Sequence, residues 1–147
     1  MTQIVVTTNI SRPIHAVFDY VTTPANWPQW HPASRAVIGA ADHSLLVGEE
    51  VTEEFVAGGR AGSCVWRVTK REAPFLWAIT TSTPQVQADI TYRLKANRGA
   101  TAFERDLTYA TSGLWFQVLD VLVMRRRMNS ESRIAVARLK ERLEGSP

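Results

Sequence analysis

Residues 114–144 are the only part of this 147-residue chain whose apolar residues repeat at helical spacing over many turns. Val118, Val121, Met124, Met128, Ala135, Leu139 and Leu143 step by three, four or seven residues, with Ser132 on the same line. They therefore line one side of a helix, and that side must be covered. No Gly or Pro interrupts the run. At about 1.5 Å per residue, some 26 to 30 residues make a rod of roughly 40 Å. A rod of that length predicts a sheet for it to lie on.

The chain before it reads as strands. Ile4, Val6, Thr8 and Ile10 alternate with Val5, Thr7 and Asn9 in a β-branched run. Ser11 is expected to cap a short helix with Pro13 in its first turn and Ile14, Val17, Phe18 and Val21 on one face. Thr22-Thr23-Pro24 ends it, and three prolines between 24 and 32 leave room for at most one further turn, which carries Trp27 and Trp30. Strand signals then fill 35–40, 49–57, 62–71, 76–82, 86–96 and 100–111. The links between them, such as Gly58-Gly59-Arg60, Ala73-Pro74 and Asn97-Arg98-Gly99, suit hairpins, so neighbours should be antiparallel. The expected architecture is α+β: a curved seven-stranded antiparallel sheet with two short N-terminal helices, packed on a long C-terminal helix.

Length suits one domain over 1–147. A net charge of +3, with basic residues spread along the chain, argues against a nucleic-acid partner. The single Cys64 cannot form an internal disulfide, and the first residues lack the pattern of a signal peptide, so a cytoplasmic protein is expected. The longest apolar run, 114–124, contains Gln117 and Asp120 and is shorter than the ~20 residues of a membrane span.

Ile14-His15-Ala16-Val17-Phe18-Asp19-Tyr20, Pro24-Ala25-Asn26-Trp27-Pro28-Gln29-Trp30-His31-Pro32, Val47-Gly48-Glu49, Trp66-Arg67-Val68, Phe103-Glu104-Arg105 and the amphipathic end together resemble the START/polyketide cyclase (SRPBCC) superfamily, in its polyketide cyclase/dehydrase-type branch. The resemblance spans nearly the whole chain. It implies a helix-grip fold, shared with the birch pollen allergen, with an apolar cavity between sheet and helix. The same scaffold hosts lipid carriers, aromatase/cyclases, hormone receptors and chaperone cofactors, so the resemblance specifies fold more than function. It implies a small apolar or amphipathic ligand, lipid- or polyketide-like. The alternatives are a cyclase/dehydratase-type enzyme and a partner-binding or lipid-delivery module; a homodimer is left open.

Strand alternation assigns the inner wall. Val86, Ala88, Ile90, Tyr92 and Leu94 face in, as do Cys64, Trp66, Val68, Trp77 and Ile79. Phe55, Trp66, Trp77, Tyr92, Phe103 and Tyr109 make that wall aromatic, either as a filled core or as ligand contacts. Met124 and Met128, mid-helix on the apolar stripe, are expected to border the cavity. Glu53 and Arg105 interrupt inward faces on different strands. They pair across the cavity, or meet water or a polar ligand group there, unless a bulge or the sheet rim turns one outward. If paired, they are coupled, and losing one partner should cost ~3 to 5 kcal/mol.

Trp30 and His31 complete the expected ligand contacts. His31, held extended before Pro32, reads either as an acid or base or as a packing residue. No residue is assigned as catalytic. His15 and Asp19 read as a solvated pair, and His15, His31, His43 and Cys64 lack metal-ligand spacing. With no nucleophile motif or phosphate loop, no cofactor is expected. Arg125-Arg126-Arg127 beside Leu114-Trp115-Phe116 could touch an anionic membrane, but a triplet falls short of the 4 to 8 basic residues usual for lipid recognition, and a solvated turn is the preferred reading.

Overall fold

The computed structural model describes residues 1–111 and 118–145, with helix side chains from 122 onward. Its elements run β1 (Thr2–Ile10), α1 (Ile14–Val21), a 3-10 turn (Pro24–Asn26) leading into α2 (Trp27–Trp30), β2 (Ser34–Ile38), β3 (Glu50–Ala57), β4 (Arg60–Glu72), β5 (Leu76–Ser82), β6 (Val86–Asn97), β7 (Ala100–Thr111) and α3 (Val118–Glu144). The strands form one antiparallel sheet in the order β1-β7-β6-β5-β4-β3-β2. Strands β2 to β7 are a meander, and β1 adds to its far edge. This is the expected α+β helix-grip fold, a curled seven-stranded sheet around a long C-terminal helix.

Two hairpins set the register of the sheet where it matters for the site. Gly58 and Gly59 have φ of 59° and 83°, and Ala57 pairs with Arg60, so β3 and β4 are joined by two residues in left-handed conformation. Arg98 and Gly99, at φ 52° and 82°, join β6 to β7 in the same way. The bulges lie away from Glu53 and Arg105: register shifts between Ser34 and Ala36 on β2 and between Val68 and Lys70 on β4. The second shift alters the phase of β4. Arg71 becomes half-buried, donates from Nη2 to Ser44 Oγ at 3.2 Å and lies 5.4 Å over the Phe18 ring.

The N-terminal helices depart from expectation in detail. Ser11 does not cap α1: Pro13 occupies the N-cap position and no side chain caps it. Ser11 lies two residues too early for its hydroxyl to reach the orphan N–H groups, and its backbone N–H donates instead to Glu144 Oε2 at 2.9 Å. Residues 24–30 make two consecutive turns where one was expected. Pro24 and Pro28 each stand in the first turn of their element, where a missing N–H costs nothing.

Helix α3 buries Met124, Ser132, Ala135, Leu139 and Leu143 of the predicted stripe and Val136 beside them, while Met128 is half-buried. The predicted first turn, 114–117, lies outside the described residues, as do the side chains of Val118 and Val121. At its C-terminal end the helix is tied to the β1–α1 corner. Arg12 Nη1 donates to Leu143 O at 3.1 Å, and Lys140 Nζ donates to Asn9 O at 2.6 Å. Twenty-seven residues make a rod of about 40 Å. Strand β1 and the corner that follows it thus hold one end of the helix against the sheet.

Candidate functional site

Between the sheet and the N-terminal half of α3 lies a cavity of about 380 Å³. Trp27, Trp30 and Tyr92 bound its inner end. Both tryptophans are buried because α2 lays one against the Trp77 ring, 6.3 Å between centroids, and the other against Tyr92, also 6.3 Å. The exposed part of the wall is at the opposite end. It comprises Arg60 to Ser63 after the first hairpin and Gln85 in the β5–β6 turn. The cavity therefore opens between these strand ends.

The β3–β4 hairpin is fastened to the helix there. Gly58 N–H donates to the Glu131 carboxylate at 3.2 Å, and a Cβ on Gly58 would stand 2.8 Å from Met124 Cγ. A Cβ on Gly62 would stand 2.8 Å from Phe55 Cζ, so the Phe55 ring covers the glycine opposite it. Small residues at inward positions, Ala57, Gly62 and Ala88, mark where the wall recedes.

Arg105 is the most enclosed charge among the described residues, 4 % exposed. The β6–β7 register sets Tyr92 directly opposite it. Its Nη1 donates to Ser132 Oγ on α3 at 3.0 Å, while its Nε has no partner. No carboxylate among the described residues forms an ion pair with it. Glu53 also borders the cavity, where Trp66 Nε1 donates to its Oε1 at 3.0 Å. Burial raises its carboxyl above the usual range, against the opposing pull of Trp66, Ser34 and Arg105. Ser34 Oγ neighbours that carboxylate without reaching hydrogen-bond geometry. Glu53 and Arg105 both border the cavity as expected, but they do not close into an ion pair. Four strand steps separate β3 from β7 along the sheet, and although its curl sets both side chains on one cavity, where Arg105 still acts on the Glu53 carboxyl, they stay beyond ion-pair distance.

His31, Tyr92 and Cys64 are neutral at neutral pH. Ala33 N–H donates to His31 Nδ1 at 3.1 Å, which leaves the proton of the neutral ring on Nε2. Burial, then Arg105 and Arg138, hold the His31 pKa well below its ordinary value. Burial outweighs Arg105 and pushes the Tyr92 phenol up to about 12. The Cys64 thiol is pushed up to about 12 by burial and then by Glu53, so it is no nucleophile at neutral pH. On α3, burial raises Glu131 despite the Gly58 N–H and nearby arginines. The cavity thus holds a buried cation, a neutral imidazole, a phenol and a carboxyl of raised pKa, chemistry sufficient to orient a polar group or to move a proton. Among the described residues, no three His, Cys, Asp or Glu converge as metal ligands.

Trp30, His31, Glu53, Phe55, Trp66 and Tyr92 border the cavity, as do Arg105, Tyr109, Met124 and Met128. Trp77 does not. Its ring is enclosed between Trp27 and Tyr92, 5.5 Å from the latter, and its Nε1 donates to Leu45 O at 3.1 Å. Strand parity told which face Trp77 occupies but not that α2 would cover it. Phe103, 5.3 Å from Tyr92, is likewise core. Sequence reading missed Glu131 and Thr81. The first lies one residue off the apolar stripe, and the second is an inward polar residue without a distinctive neighbour. Leu114, Trp115 and Phe116 lie outside the described residues. Arg125, Arg126 and Arg127 are exposed, as are Leu122 and Val123. No described helix is long and apolar enough to cross a membrane.

The profile of the family described as polyketide cyclase / dehydrase and lipid transport matches residues 1–144. A START superfamily protein from Mycobacterium smegmatis superposes with a TM-score of 0.75 at 10 % identity, covering 97 % of each chain. The di-domain ARO/CYC BexL from the BE-7585A biosynthetic pathway gives 0.71 at 20 % identity, over 100 % of this chain and 48 % of that one. The Aha1 dimer from Colwellia psychrerythraea gives 0.67 at 18 % identity, covering 98 % of this chain and 97 % of the other. Among curated proteins, Penitrem biosynthesis cluster 1 protein I of Penicillium ochrochloron is 38 % identical over 63 residues, which are 42 % of this chain and 41 % of that protein.

Proposed function

Because the chain belongs to the polyketide cyclase / dehydrase and lipid transport family, of START-like fold, we propose that it binds a small apolar or amphipathic molecule in the cavity between sheet and helix. One observation carries this reading: a space of about 380 Å³ remains open in an otherwise close-packed interior, walled by Phe55, Trp66, Leu107, Met124 and Met128 with a few polar groups at defined points. Interiors do not keep such voids without cost, since each lining side chain forgoes contacts there. Methionines suit a wall that adapts to its occupant.

A second reading, a cyclase- or dehydratase-type enzyme, is favoured by Glu53. A buried carboxyl of raised pKa across the cavity from a cation can take a proton from a carbon acid while the cation steadies the resulting oxyanion.

One set of titrations tests both. N-phenyl-1-naphthylamine fluorescence should saturate at one molecule per chain, and Ala88→Trp, which fills the space from β6, should abolish it. Binding that is non-saturable or indifferent to this variant would remove the ligand-binding reading. Benzoylacetone in deuterated buffer, followed by proton NMR, separates carrier from catalyst. Methylene exchange faster than in buffer, and lost in Glu53→Gln, marks an enzyme; exchange at the buffer rate leaves the carrier reading.

A further inference from the structure

Two polar atoms that the cavity leaves unpartnered can only donate. Arg105 Nε and Trp30 Nε1 are buried, border the cavity and have no hydrogen-bond partner, and the Thr81 and Tyr109 hydroxyls, which can donate or accept, line it as well. His31, with Ala33 N–H on its Nδ1, offers a further N–H from Nε2. The two carboxylates in the wall are already engaged, Glu53 by Trp66 Nε1 and Glu131 by Gly58 N–H. An orphaned buried donor costs free energy, and an enclosed guanidinium without a carboxylate costs more, so such an arrangement persists where something else supplies the acceptor. Arg105 also stands opposite Tyr92, against the closed end of the cavity, where an entering molecule would place its leading group.

From this geometry we infer that the ligand carries an anionic oxygen, a carboxylate or an enolate, which is set on Arg105 at the closed end while the apolar body lies along Trp66, Phe55, Met124 and Met128. The inference rests on the ligand-binding reading above and names the chemical class that the site selects. A planar guanidinium with a free Nε–H offers directed donors, and hydrogen bonds with one charged partner are about twice as strong as neutral ones. Glu53 does not cancel this preference, because it makes no ion pair with Arg105 and its Oε1 already accepts from Trp66 Nε1.

The test compares matched probes by calorimetry at neutral pH: decanoate against 1-decanol, with benzoylacetone as the enolate arm read from its ultraviolet enolate band. The protein should bind decanoate at least roughly tenfold tighter than decanol, or should draw benzoylacetone into its enolate form, whichever source of the anion it takes. Arg105→Met should erase the preference by bringing decanoate affinity down to that of decanol, whereas Arg67→Met, on the outer face of β4, should preserve it. Equal affinity for decanoate and decanol with no enolate band would overturn the inference while leaving the cavity reading intact. A preference that survives in Arg105→Met would overturn the assignment to Arg105. If neither decanoate, decanol nor benzoylacetone binds, the cavity reading falls and the inference with it. The ratio in the unmodified protein decides the question even where Arg105→Met does not fold.

Discussion

At the scale of single residues, Arg105 is held in the interior by the Ser132 hydroxyl and the facing Tyr92 phenol, with no ion pair to a carboxylate among the described residues. A charge kept there without an ion pair is destabilising relative to an apolar side chain of similar shape. Arg105→Met should therefore raise stability by about 1 kcal/mol in urea denaturation, in place of the large loss that a closed pair with Glu53 would produce. A loss above ~3 kcal/mol would show that the guanidinium has a strong partner in solution. His31 gives a pH prediction. Its pKa in the folded chain lies well below the ordinary 6.5, so unfolding takes up a proton at any pH between those two values. The stability tied to its neutral form is full above 6.5 and is lost as pH falls through the folded value. Glu53, raised from 4.5, acts in the opposite sense: its contribution is present below 4.5 and is lost as pH rises through its folded value. Comparing each variant with the parent isolates one group. His31→Gln should flatten the decline of stability between pH 6.5 and 5, and an unchanged slope would mean that the ring titrates freely.

At the scale of elements, the β3–β4 hairpin determines how the cavity opens. Gly58 has φ of 59° and lies against Met124, so an added Cβ meets both a disfavoured backbone and a close neighbour on the helix. Gly58→Ala should cost about 1 to 3 kcal/mol in chemical denaturation and weaken probe binding by displacing Met124. Gly59, at φ 83°, meets only the far end of Arg127, which can swing aside. Gly59→Asn, with a residue that tolerates left-handed backbone, should cost less than ~1 kcal/mol. Equal losses at both positions would mean that the contact with Met124 contributes nothing.

At the scale of the whole molecule, the helix is tied to the β1–α1 corner at one end and to the β3–β4 hairpin through Glu131, and the cavity lies between its N-terminal half and the sheet. Local sequence determined the elements: the three-and-four spacing of Met124, Met128, Leu139 and Leu143 made a helix with one covered face, and the alternation through Val86, Ala88, Ile90, Tyr92 and Leu94 made a strand with one inner face. Short Gly-containing links made the sheet antiparallel. Those periodicities act over a few residues, so they are written in the chain, and they carried Glu53, Trp66 and Arg105 to the correct side. Three matters depended on contacts between residues far apart in sequence. The covering of Trp77 by α2 came from docking a short helix on a distant strand. The phase change that half-buries Arg71 came from a bulge that alternation cannot reveal. The gap between Glu53 and Arg105 was the third, since parity says that two side chains share a face but not how far apart the strand order and the curl of the sheet place them.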